Sequence, residues 1–394
     1  MKKSVIFISM LCVLLCFGGC FSSMSAQWGS ETLAPKASDY EQKLKEVVEL
    51  LDQVYVDGYN TEELGDYLAA AAVSATGDRW SHYYTAKEYR EYLEDSKNAY
   101  VGVGITVQQV SDECQDLYVL AVTPGGSASA AGVLPGDVIY AVDGVLAQEV
   151  GMDAVSGAIR GEEGTTLVLS IHRGEEDLDL TLTRKLIEVP VVIYDNIDGI
   201  GYIKIENFHD HCAERGKEAI DDLLAQKVQG IVFDVRFNPG GKKTELVDLL
   251  DYILPEGPLF RSVDYEGTVL VDSSDAEQFV ELPMTVLVNG DSYSAAEFFA
   301  AALQEYGWAK VVGTQTVGKG NYQQTFPLSD GSAVAVSTGH YSTPNGVNLE
   351  GVGITPDVTV EIDEELYYGI YSQSISYDED PQLQAALEEI KNNT

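Results

Sequence analysis

Ser294 and Lys319 stand 25 positions apart, in Asp291-Ser-Tyr-Ser-Ala-Ala-Glu297 and Gly313-Thr-Gln-Thr-Val-Gly-Lys-Gly320, and together offer a serine nucleophile and a lysine base. A serine hydroxyl stays protonated at neutral pH and attacks a carbonyl only when a neighbour takes its proton. Lysine can do so once burial lowers its pKa from the ordinary value of roughly 10.4, because desolvation disfavours the ammonium. Gly318 and Gly320 let the backbone pack closely around that amine. Ser294-Ala-Ala-Glu297 reads equally as a capping box, with Ser capping a helix and Glu reaching back. The two roles are compatible, since a helix N-terminus suits an oxyanion and the Ala295 N–H would point outward. Asn238-Pro-Gly-Gly241, directly after an apolar run ending at Val235, is either an ordinary turn or the source of a second backbone donor from Gly241.

Lys319 has a competing reading. Gly313-x-x-x-x-Gly318-Lys319 matches a phosphate-binding loop except at its last position, where Gly320 replaces the Ser or Thr that ligates magnesium. Tyr322-Gln-Gln-Thr-Phe-Pro327 also reads as a strand, whereas a phosphate-binding loop must open a helix. With residues 319 to 325 extended, Lys319 and Gln323 share a face, so the Gln323 amide could orient the amine.

The elements that must carry these residues follow from composition and periodicity. The chain has 394 residues, enough for two or three domains, and 45% hydrophobic content, as in globular proteins. Its net charge of -39 repels phosphate backbones, which disfavours nucleic acid as a partner. Lys2 and Lys3 precede an apolar run from Val5 to Phe17 and then Gly18-Gly19-Cys20, the layout of a secretory signal. The small residues before Cys20 resemble a bacterial lipobox, in which that cysteine is lipidated and tethers the protein to a membrane. Phe17 stands where Leu is usual, so cleavage near Ala26 or an uncleaved anchor are alternatives, and all three export the protein to the cell envelope or beyond. Of the remaining cysteines, Cys114 and Cys212 fall in different expected domains, and two unpaired thiols are favoured over a disulfide. With no Cys-x-x-Cys and no His-Glu-x-x-His, zinc is not expected, nor is any organic cofactor.

Residues 1–20 are therefore read as a signal peptide and 21–37 as a Ser-rich linker. Residues 38–97 form a helical region, with Leu44, Val47, Val48, Leu51 and Val54 at helical spacing. From 98 to 185 short β-branched runs are broken by Pro124-Gly-Gly126, Leu134-Pro-Gly-Asp137 and Asp143-Gly144, which indicates a β-rich domain. In residues 186–394 strand-like and helical stretches alternate, which implies an α/β core with a C-terminal extension. The middle segment opens with Tyr100-Val-Gly-Val-Gly-Ile105. There Gly102, Val103, Gly104 and Ile105 could present backbone N–H groups to a peptide carboxylate. With Gly132-Val-Leu-Pro-Gly-Asp-Val-Ile139 and Ile159-Arg-Gly-Glu-Glu-Gly-Thr-Thr166 downstream, this order resembles a PDZ domain, which binds a C-terminal peptide as an added strand.

The whole series, closed by Val-Gly-Lys-Gly-x-x-Gln and Gly351-Val-Gly-Ile-Thr-Pro-Asp357, resembles the carboxyl-terminal processing peptidases, the S41 serine proteases, from about residue 40 to 390. The resemblance implies a multidomain α/β protein: an N-terminal helical segment, a PDZ domain and a ClpP/crotonase-like core. It places nucleophile and base on Ser294 and Lys319, an assisting glutamine on Gln323, and oxyanion donors on the backbone of Gly241 and Ala295. Phe237 and Tyr293 depart from its small or polar residues beside the site. The expectation is an exported endopeptidase that cleaves proteins or peptides whose apolar C-termini its PDZ domain has bound. The histidines lie outside the motifs, with His209 or His211 a minor alternative for the base. A silent PDZ scaffold for envelope proteins and a nucleotide-binding protein are the readings weighed against it. The helical region and the acidic tail after Asp363 could each support a homodimer.

Overall fold

The computed structural model describes residues 37–393 except 112, 113, 124, 175, 276 and 278, so the leader with Cys20 and nearly all of the linker lie outside the described residues. The chain divides into two units, residues 1–61 and 62–394. In the first, helix Ala37–Val54 leaves Leu44, Val47, Leu50 and Val54 exposed, an apolar series at helical spacing. In the second, Thr85 caps helix Ala86–Asp95: its hydroxyl accepts from the Glu88 N–H while the Glu88 carboxylate accepts from the Thr85 N–H. The strand His82–Tyr84 before it pairs with Ala333–Ser342. The region read from sequence as helical thus also contributes an edge strand to a core sheet.

The middle domain, expected from its turns to be a PDZ domain, is an antiparallel sheet whose strands run in the order Ile105–Ser111, Cys114–Val122, Val138–Val142, Thr166–Arg173 and Glu176–Thr183, with helix Met152–Ile159 packed on it. Leu117, Val119, Ile139, Leu169 and Ile171 form its dry centre. A two-stranded ribbon, Ala99–Gly102 with Lys185–Glu188, leads into and out of it.

The core is a six-stranded sheet in the order Val192–Ile197, Ile200–Ile205, Ile231–Asp234, Met284–Val288, Ala309–Gly313 and Val358–Thr359, all parallel except the first. Its middle strands are buried at every residue because both faces are covered. Ile231 and Phe233 face helices Cys212–Ala225, Lys243–Ile253 and Ala295–Glu305, while Val232 and Leu287 face helix Pro381–Asn393. A second sheet runs His82–Tyr84, Ala333–Ser342, Gly257–Asp264, Val269–Ser274, and strand Asn321–Pro327 also pairs with Ala333–Ser342. Among the described residues no helix is long and apolar enough to cross a membrane.

The C-terminal helix is fixed by a buried ion network. The Arg236 guanidinium, at the end of the Asp234-Val-Arg run, donates to the carboxylates of Asp234 and Asp380 and to Gln382 Oε1. Tyr202 donates its hydroxyl to the same Asp234. Burial works to raise the Asp234 carboxyl, but Arg236 and the donated hydrogen bonds hold it below its ordinary range. Removing one partner leaves an uncompensated buried charge, so Arg236→Met is expected to cost about 3–5 kcal/mol in denaturant unfolding. Because the folded carboxyl is depressed, its contribution is complete above the unfolded pKa of about 3.9 and disappears as pH falls through the folded value. An unfolding midpoint unchanged in Arg236→Met would contradict this reading.

Candidate active site

Ser294 lies where strand Met284–Val288 turns sharply into helix Ala295–Glu305, with φ 57° and ψ −124°. A non-glycine residue adopts that conformation only when its surroundings impose it. Three contacts do so. The Ser294 N–H donates to Glu297 Oε2 at 2.9 Å, the Tyr293 N–H to the Asn238 carbonyl at 3.1 Å, and the Ser292 hydroxyl to the Val235 carbonyl at 2.7 Å. The capping box read from sequence is therefore present, with the Glu297 carboxylate reaching back to the Ser294 N–H.

The Asn238-Pro-Gly-Gly241 turn is stitched to the same place. Asn238 is fully buried; its amide nitrogen donates to the Ile205 carbonyl and its oxygen accepts from the Gly240 N–H, both at 2.8 Å. Gly241 has φ 149°, and a Cβ there would meet the Phe208 carbonyl oxygen at 2.3 Å, so only glycine fits. The N–H groups of Gly241 and Ala295 have no hydrogen-bond partner among the described residues. Both residues wall a recess of about 10 Å³ beside Ser294, closed by Leu246, Phe260, Phe298 and Tyr341.

Lys319 follows a loop that leaves strand Ala309–Gly313, and the chain continues into strand Asn321–Pro327. No helix begins there, so the context a phosphate-binding loop needs is missing. Lys319 and Ser294 line one cleft of about 540 Å³, along with Gln323, Gly241 and Tyr293. The amine has no hydrogen bond or ion pair among the described residues, and Ser294 makes no hydrogen bond to it. Such bonds commonly tighten only when substrate binds. Burial pushes the Lys319 amine below its ordinary value; Glu350, Asp78 and Glu297 pull it back and Arg79 pushes it further down.

Glu297 is the residue whose reach the sequence did not disclose. It is 0% exposed, and its Oε2 accepts from both the Ser294 and Lys319 N–H groups, at 2.9 and 2.8 Å. Oε1 accepts from Gly318 N–H at 2.7 Å and the Thr316 hydroxyl at 2.5 Å. Four donors and no acceptor suit a carboxylate, although burial pushes this carboxyl up against them.

Gln323 reaches the cleft by another route than simple alternation. Strand pairing shifts register between Tyr322 and Gln323, and the Gln323 amide nitrogen donates to the Asn321 carbonyl and Ser337 Oγ rather than toward Lys319. His209 lines the cleft with an unpartnered, buried Nδ1, and burial and Lys242 hold its imidazole below the ordinary value; His211 is paired with Glu214. Phe237 packs on Tyr367 and Tyr371 and lines a separate cavity of about 380 Å³, so of the two unusual residues only Tyr293 borders the catalytic cleft. Cys212 is a free, buried thiol. In the PDZ domain, Gly102 ends its strand, Val103 is buried with its carbonyl accepting from the Ala128 N–H at 2.9 Å, Gly104 takes φ 80°, and Ile105 starts the edge strand.

Residues 199–360 match the family model of peptidase family S41, and residues 118–173 match a PDZ domain. A carboxy-terminal-processing protease of Bartonella bacilliformis is 32% identical over 72% of this chain and 67% of its own length. The carboxyl-terminal-processing protease of Synechocystis sp. is 32% identical over 84% of this chain and 77% of its own. The chain belongs to peptidase family S41. A Bacteroides fragilis structure described as an S41 protease shares the fold, with TM-score 0.55 and 18% identity over 86% of this chain and 93% of that one. This S41 member is a carboxyl-terminal-processing serine peptidase with a PDZ domain, acting on protein substrates, which sets aside the silent scaffold.

The Glu297 geometry yields a direct expectation. Glu297→Gln replaces one accepting oxygen by a donor and leaves two of the four donors facing an N–H. Displacing Ser294 and Lys319 together should lower kcat on the order of a hundredfold with little change in KM. Steady-state kinetics on a peptide substrate measure it, and kcat retained within experimental error would contradict the clamp.

Proposed function

We propose that this peptidase works through a Ser294–Lys319 dyad. The observation that carries the reading is a single cleft holding a strained serine at a helix N-terminus and a half-buried, unpaired lysine, with two unpartnered N–H groups beside the serine. Lys319 takes the Ser294 proton as Oγ attacks the scissile carbonyl. The N–H groups of Gly241 and Ala295 receive the oxyanion, Lys319 then protonates the leaving amine, and water resolves the acyl-enzyme by the reverse steps. Gln323 supports the same cleft wall through Ser337.

The PDZ domain selects the substrate. Strand Ile105–Ser111 lies at the end of its sheet, so its outer edge is free to take an extended peptide, with the Gly102–Ile105 turn at the position of the terminal carboxylate. An apolar C-terminus is the preferred end. The charged start, apolar run and Gly18-Gly19-Cys20 of the leader favour an exported enzyme, tethered to a membrane through Cys20 or released. The apolar series on helix Ala37–Val54 supports a homodimer.

An unstructured protein ending in apolar residues should be degraded by the enzyme, and not by Ser294→Ala or Lys319→Ala variants of equal thermal midpoint. The same protein ending in charged residues should be cut more slowly. Undiminished cleavage by Lys319→Ala would remove the dyad, and equal rates for the two ends would remove the capture role. The recess beside Ser294 further limits the residue before the scissile bond to small apolar side chains. Alanine at that position is expected to exceed phenylalanine by about tenfold or more in kcat/KM, and a preference for phenylalanine would refute the assignment of the recess.

A further inference from the structure

We propose that Trp80, together with Tyr293, is the positioning residue for Lys319: the two rings form an aromatic bracket that steadies the amine and stabilises the ammonium formed when it takes the Ser294 proton. The proposal rests on Lys319 acting as the general base. The Lys319 Nζ lies 4.9 Å from the Trp80 ring centroid and 5.8 Å from that of Tyr293, both within cation–π reach. The rings are 6.4 Å apart and inclined by only 20°, so both present faces to the same region.

Residues 79 and 80 also grip the chain on both sides of the lysine. The Trp80 indole N–H donates to Glu350 Oε1 at 2.9 Å, and Glu350 Oε2 accepts from the N–H of Gly320 at 2.8 Å. The Arg79 guanidinium lies 4.0 Å over the Trp80 ring and donates to the Gly318 carbonyl at 3.4 Å. Behind them, Asp78 accepts from the Trp80 N–H and the Ser81 hydroxyl. Ser81 Oγ accepts from the Ser337 N–H, and Ser337 Oγ in turn receives the Gln323 amide. One short segment before the edge strand His82–Tyr84 is thereby joined to Gly318, Gly320 and Gln323.

The chemistry needs such a device. A buried lysine is a competent base because it is easily kept neutral, but the same burial penalises the cation it becomes in the transition state. In a histidine triad a carboxylate relieves that penalty. Here no carboxylate forms an ion pair with Nζ among the described residues. The charged groups facing the amine are Glu350, Asp78 and Glu297 from three different segments and Arg79 of opposite effect, and the carboxylates of Glu350 and Glu297 are taken up by hydrogen bonds from other donors. Aromatic faces attract an ammonium and are nearly indifferent to a neutral amine, so they favour the transition state over the ground state.

The test compares Trp80→Phe with Trp80→Leu in the full chain, alongside the parent and Lys319→Ala. Both Trp80 variants lose the indole N–H, and only the phenylalanine keeps a π face. Trp80→Phe should retain most of kcat and the parental pH profile. Trp80→Leu should lose about tenfold in kcat at constant KM. Its rising limb should move to lower pH, because losing the rings destabilises the protonated amine and lowers its pKa further. Equal kcat and equal limb position in the two variants would overturn the bracket. Parental activity in Lys319→Ala would instead overturn the base assignment beneath it. If either Trp80 variant lacks a folded thermal transition, Tyr293→Phe against Tyr293→Leu decides by the same two readouts.

Discussion

One buried carboxylate holds the candidate site together. Glu297 receives the backbone N–H of both Ser294 and Lys319 on a single oxygen, and with the other it receives Gly318 and Thr316 from the loop that carries Lys319. The loop after strand Ala309–Gly313 is also tied to the turn before helix Ala295–Glu305 by the Val317 N–H, which donates to the Ser292 carbonyl. Charge-assisted bonds in a dry interior are strong, and they are costly to leave unmade. The carboxylate can therefore hold Ser294 at φ 57° and ψ −124°, a strain on the order of 1–3 kcal/mol.

The sheets explain why those parts meet. Parallel strands Ile231–Asp234 and Met284–Val288 end side by side, so the turns that follow them emerge together and are tied by Ser292, Tyr293 and Asn238. That places the free N–H groups of Gly241 and Ala295 around one point at the carboxyl end of the sheet, where sites in α/β folds lie. The second sheet brings Lys319 and Gln323 across from them. On the far side of strand Ile231–Asp234, Arg236 with Asp234 and Asp380 anchors the C-terminal helix over the sheet.

What was legible in the sequence was what is local. The Gly-Gly turn after Val235, the serine at a helix start and the glycines around Lys319 announce themselves because conformation at those positions is set by neighbours in the chain. The PDZ turns and the strand-like runs of the α/β core were legible for the same reason. The capping box Ser294-x-x-Glu297 was legible because it is local. The carboxylate's other bonds reach to Thr316, Gly318 and Lys319, and no spacing rule specifies them. Gln323 was placed on the face of Lys319 by strict alternation, and it reaches the cleft past a register shift that alternation cannot express. Trp80 was invisible, because 270 positions separate it from the Glu350 carboxylate it holds. Only strand His82–Tyr84, a short edge in a region of helical pattern, brings it there.

The central claim, that Lys319 activates Ser294 by taking its proton, is tested most directly by the pH dependence of covalent labelling. The enzyme would be reacted with a peptidyl phosphonate ester and the adduct located by mass spectrometry, in the parent and in Lys319→Ala. The account requires a single adduct on Ser294, formed at a rate that rises through a limb below the ordinary lysine pKa, with that limb absent in the variant. An adduct on another residue, or the same pH course with Lys319 removed, would contradict it.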